Sequence, residues 1–168
     1  MRFSENPRTH FVALSTGVRN QGTPVCSLTF RGRTHEPGVP LYRFLSDKRA
    51  QIVCEGLDQI FEHDCLDDFM HLRCQLPGYA AESRPLLFLS SIPVKRYEVG
   101  RIVATEMREY MKELLEIVDG GCVADGRDKP SLNGIEWDKL LIHEFYTMDG
   151  KEWEVSLYLA ISDNIEKD

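Results

Sequence analysis

The clearest pattern in the chain lies near its C-terminal end. Trp153, Val155, Leu157, Leu159 and Ile161 alternate with Glu152, Glu154, Ser156, Tyr158 and Ala160. Period-2 alternation marks a strand with one face against a core. The run Leu140–Thr147 precedes it, and Asp149-Gly150 between them is a favoured two-residue turn. The predicted hairpin pairs Tyr146 with Trp153, Ile142 with Leu157 and Leu140 with Leu159 on one apolar face. Its other face sets Phe145 opposite Glu154, His143 opposite Ser156 and Leu141 opposite Tyr158.

A helical period governs Tyr97–Val118. Val99, Val103, Met107, Tyr110, Met111, Leu114 and Val118 form one stripe, and Asp119-Gly120-Gly121 supplies a stop. The spacing of Val53, Leu57, Ile60 and Phe61 predicts another helix from Ser46 to Glu62. Asp64 then caps a short helix to Gln75, with Asp67 and Asp68 in its first turn and Leu66, Met70 and Cys74 in one row. His10–Ser15 and Val25–Phe30 read as strands of a hairpin joined by a Gly-rich link. Arg31–Pro40, with two Gly and two Pro, reads as loop. Pro85–Ser91 is a short apolar run taken as a buried strand. Gly120–Glu136 is a long polar link. The expected fold is α+β in the order β-β-α-α-β-α-β-β. An antiparallel sheet of about five strands packs on two or three helices, in a single globular domain over residues 1–168.

Composition agrees with a folded domain: 168 residues, 42% apolar and 28% charged. No apolar run approaches the roughly 18 residues of a membrane span. The start, Met1-Arg2-Phe3-Ser4-Glu5-Asn6, has no apolar h-region. Five cysteines, an odd and sparse set, read as free thiols, so a reducing cytoplasmic setting is expected.

Charge changes the picture more. The net charge is −7 and the pI about 5.3, which disfavours binding to nucleic acid or to an anionic membrane. Residues 1–50 carry eight Lys/Arg against three Asp/Glu, and seven of the eight are Arg; residues 51–94 carry two against seven. The Arg-rich part pairs either with the chain's own acidic part or with an external anion. Glu55, Asp58, Glu62, Asp64, Asp67 and Asp68 form the acidic tract. On the expected helices Glu55, Asp58 and Glu62 line one face, and the aspartates extend it. Such a face suits a basic protein partner, because complementary charge speeds and orients docking. The first expectation for function is therefore an acidic protein-binding regulator or inhibitor of immunity type.

Two other readings start from chemistry. His63, Cys65, His71 and Cys74 are residue types that tetrahedral zinc takes, and on a helix His71 and Cys74 would share a face. Their spacing fits no zinc motif, and Cys54 and Cys74 sit in apolar rows, so both read as buried thiols and no cofactor is expected. Cys122 with His143, or His143 with Ser156 and Glu154, would suit a hydrolase, but nothing supplies an oxyanion hole or a nucleophile elbow. The last reading is a small-molecule sensor with Trp153 and Tyr146 lining a pocket between sheet and helices. Phosphate-loop, dinucleotide-binding, His-Glu-x-x-His and EF-hand motifs do not occur.

Overall fold

The computed structural model describes residues 9–14, 22–32, 36–46, 52, 54–61, 69–87, 93–119 and 135–162. Its elements are β1 (Thr9–Leu14), β2 (Cys26–Thr29), β3 (Val39–Pro40), α1 (Leu41–Phe44), β4 (Phe69–Cys74), β5 (Glu82–Leu87) and α2 (Arg96–Asp119). A 3-10 turn (Trp137–Lys139), β6 (Leu140–Thr147) and β7 (Glu152–Ser162) complete them. The fold is α+β: one mixed sheet of seven strands with two helices.

The β6–β7 hairpin is the spine of that sheet. β2 and β3 lie end to end along the outer side of β6, pairing with Glu144–Thr147 and Leu141–Ile142. β4 and β1 share the outer side of β7 in the same way: β4 runs parallel to Glu152–Glu154, and β1 antiparallel to Leu157–Ser162. β5 closes the far edge against β4. Just before β3, Gly38 lies against β6. A Cβ there would come within 2.2 Å of the Ile142 carbonyl oxygen, so only glycine fits.

One sheet face carries Leu140, Ile142 and Phe145 of β6 with Trp153, Val155, Leu157 and Leu159 of β7, joined by Leu28, Met70, Leu72, Cys74 and Leu86. α2 adds Val99, Val103, Met107, Tyr110 and Met111 to this core, and α1 adds Leu41 and Phe44. Gly100 lets α1 approach α2, since a Cβ there would meet the Phe44 ring at 2.4 Å.

α2 forms where the stripe predicts it. Other expectations are corrected. The sheet is mixed, because β4 is parallel to β7. β1 and β2 pair with β7 and β6, not with each other. Within the expected loop 31–40, Val39–Pro40 is strand, and α1 follows. The expected helix 46–62 is turn over residues 55–58, because Gly56 adopts φ 67°, outside the helical region. The expected helix 64–75 is strand β4 over Phe69–Cys74. Its apolar residues satisfy two periods: Leu66, Met70 and Cys74 fit a helix, whereas Met70, Leu72, Cys74 and Leu76 fit a strand and are the ones buried. The strand expected at 85–91 begins earlier, at Glu82, and residues 88–91 lie outside the described residues, as do 120–134 of the long link.

Candidate functional site

The acidic tract begins on a tightly fastened turn. The Glu55 N–H donates to the Arg31 carbonyl (3.0 Å), and the Phe61 N–H to the Val94 carbonyl (2.7 Å). The Arg96 and Tyr97 N–H groups, at the start of α2, donate to the Gln59 and Leu57 carbonyls at 3.0 and 3.1 Å. The Arg96 guanidinium adds Nη1 to the Glu55 carbonyl (3.0 Å) and Nη2 to the Gln59 amide oxygen (3.2 Å). Cys54 and Phe61 are buried beneath the turn, and Leu57 packs against the same core. Glu55, Asp58, Gln59 and Ile60 remain exposed.

Of the six predicted partner-binding residues, Glu55 and Asp58 therefore share this turn and not a helical face. Glu62, Asp64, Asp67 and Asp68 lie outside the described residues. The Asp58 side chain is 77% exposed and meets Lys95 at 3.7 Å, a surface pair of the kind that contributes little. Glu55 sits on the rim of a cavity of about 300 Å³ with Ser27, Leu28, Thr29, Arg31 and Arg96. The described head of the acidic tract is thus met by cations: Lys95 beside Asp58, Arg31 and Arg96 around the cavity that Glu55 lines.

The zinc candidates do not assemble as a pair. His71 and Cys74 are three apart on a strand, so they point to opposite faces. His71 is exposed, and Cys74 is wholly buried in the core. Burial pushes the Cys74 thiol up to about 12 and raises that of Cys54 as well, so both keep the proton and behave as apolar side chains. The reading of these two as ordinary buried thiols holds. His63, Cys65 and Cys122 lie outside the described residues, among which no group of three metal-ligating side chains occurs.

A β-bulge rearranges the remaining candidates. Leu140↔Leu159, Leu141↔Tyr158 and Ile142↔Leu157 pair as the sequence predicts. His143 is then the extra residue, and beyond it the register moves by one: Glu144↔Ser156, Phe145↔Val155, Tyr146↔Glu154 and Thr147↔Trp153. His143 consequently does not face Ser156. Its Nδ1 donates to the Pro37 carbonyl, and its ring meets Tyr158 edge-on at 5.6 Å. Trp153 and Tyr146 fall on opposite faces of the sheet. Trp153 is fully buried, stacked on Phe145 at 4.5 Å with Phe61 edge-on at 5.9 Å. The Tyr146 hydroxyl instead donates to the buried Glu154 carboxylate at 2.9 Å.

Sequence reasoning also passed over Arg84. Its side chain, 11% exposed, reaches Glu82 on β5 and both Glu106 and Glu113 on α2. The signal was present, since Arg73 and Arg84 are the only cations between residues 51 and 94. With fold and site in place, comparison of the chain with protein-family models, curated proteins and solved structures finds no match in any of the three. No helix among the described residues is long and apolar enough to cross a membrane.

Proposed function

We propose that this chain is a cytoplasmic protein-binding regulator or inhibitor that docks a basic partner through the acidic tract 55–68. What supports the reading is the presentation of Asp58. It stands 77% exposed on a turn that backbone hydrogen bonds and the Arg96 guanidinium fasten to the start of α2. An exposed carboxylate on a fastened turn, within a tract of six in fourteen residues, needs little backbone ordering on binding. Its field also steers a cationic partner. The overall charge of −7 disfavours nucleic acid as the partner.

The test is quantitative capture from source-cell lysate at low and moderate salt. The bait is the wild-type chain or the triple variant Asp64→Lys, Asp67→Lys, Asp68→Lys. A stoichiometric basic partner is expected with the wild type, weakening as salt rises. The variant should lose it while keeping its thermal unfolding transition. A partner retained equally by the variant, or no partner at either salt, overturns the reading.

A further inference from the structure

β2 stands at an edge of the sheet, and its pairing with β6 fixes which backbone groups face outward. The Phe30 N–H bonds the His143 carbonyl at 2.7 Å. By alternation, Leu28 and Cys26 are also hydrogen-bonded rungs, opposite Phe145 and Thr147. Ser27 and Thr29, opposite Tyr146 and Glu144, then turn their N–H and C=O groups away from β6. Arg31 is the next outward residue, and its carbonyl is already engaged by the Glu55 N–H at 3.0 Å. One rung of an added strand is thus formed by the chain itself.

At Ser27 and Thr29 no further strand lies alongside, among the described residues. A cavity of about 300 Å³ occupies that edge, and among the described residues its lining carries two cations, Arg31 and Arg96, and one carboxylate, Glu55. Arg96 is held by hydrogen bonds to Glu55 and Gln59, and its buried Nε has no hydrogen-bond partner among the described residues. Among the described residues the trough joins a net positive lining to main-chain donors and acceptors that no strand pairs; the latter let a sheet edge take an added strand, and the former favours a carboxylate on it.

We propose that the β2 edge receives an extended, carboxylate-bearing peptide from a partner protein as an added strand. The peptide's main chain pairs with Ser27 and Thr29, and its carboxylate lies against Arg31 and Arg96. The chemistry is opposite to that of the acidic tract: an acidic segment here, a basic surface there.

The test is selection of a random heptapeptide display library against the immobilised full chain, followed by titration of the enriched peptides. The expected winners alternate β-branched residues and carry Asp or Glu at one fixed position. Replacing that acid by Lys should weaken binding at least tenfold. Ser27→Pro removes an outward N–H and leaves the β6 rungs intact, and should also weaken binding at least tenfold. Arg31→Gln, an exposed change that keeps the fold, should weaken it severalfold. Bound peptide should slow exchange of the Ser27 and Thr29 amides. Triple charge reversal at Asp64, Asp67 and Asp68 should leave this binding unchanged, which separates the edge from the acidic tract. No enrichment, enrichment without an acidic position, equal binding by Ser27→Pro and Arg31→Gln, or an edge occupied by a second copy of the chain in solution overturns the proposal.

Discussion

Arg84 shows how one side chain can hold two elements together. It sets a guanidinium between β5 and two turns of α2, where Glu106 and Glu113 would otherwise face each other without a cation. Those charge-assisted bonds keep its proton bound more tightly than usual. Arg84→Met is expected to cost about 1–3 kcal/mol, read from the urea midpoint. Arg84→Lys should recover little, because an ammonium cannot fork between three carboxylates. Glu113→Gln should cost less than either, since Glu113 is half exposed. Thiol chemistry gives a second check. Cys74 is buried, with its pKa raised to about 12 by that burial, so the thiolate is scarce throughout the physiological range. Iodoacetamide at pH 8 should leave Cys74 unlabelled in the native protein and label it on unfolding, as followed by peptide mass spectrometry. Labelling at the native rate of a free thiol would refute the buried assignment. The buried character of Cys54 and Cys74 was legible from their neighbours in apolar rows. The role of Arg84 was not, because its partners lie 22 and 29 residues away on another element.

At the level of elements, the C-terminal hairpin shows which part of a register a sequence encodes. The outer half was legible, because Leu140, Ile142, Leu157 and Leu159 have one way to share a face. The inner half was not, because Phe145 and Tyr146 are both aromatic and either can oppose the Trp153 strand. The hydroxyl decides. The observed register buries Phe145 against Trp153 and gives the Tyr146 O–H the Glu154 carboxylate, satisfying two polar groups that the expected register would have separated. The turn absorbs the shift. Asp149 accepts the N–H groups of Lys151 (2.8 Å) and Glu152 (3.0 Å), the Thr147 hydroxyl accepts from Gly150 (2.9 Å), and Gly150 takes φ 79°. Those N–H donors hold the Asp149 carboxyl below its ordinary value. A depressed carboxylate pKa stabilises fully above the unfolded value, near 4, and the contribution disappears as pH falls through the lower folded value. Wild type minus Asp149→Ala should therefore differ by about 0.5–1 kcal/mol at pH 7. The difference should shrink below about pH 4, as two parallel acid titrations of stability would show. A gap independent of pH would place the stabilisation elsewhere than in the ionised carboxylate.

For the whole molecule, the spine explains why local patterns misled at residues 46–75. Nothing within 69–74 selects strand over helix; its partners do, β5 along the whole of Phe69–Cys74 and the outer edge of β7 at His71, Leu72 and Arg73, some eighty residues further along the chain. β1 depends on the same edge across an even longer separation, Thr9 against Ser162, so the sheet forms only after long loops close, a topology that folds slowly. Such an arrangement makes stability uneven. β7 between Trp153 and Leu157 is flanked by β6 throughout and by β4 at its start, with Trp153 fully buried between Phe145 and Phe61. In β1, only Leu14 is buried, and Val12 is 45% exposed. Trp153→Ala should cost about 3–5 kcal/mol and Val12→Ala less than about 1. Native-state hydrogen exchange should show the amides of β6 and of Trp153–Leu157 opening only with global unfolding, while those of β1 open locally at a lower free energy. If β1 exchanges as slowly as β6, the C-terminal half of β7 is held by more than its pairing with β6, and the hairpin is not the element on which the other strands depend.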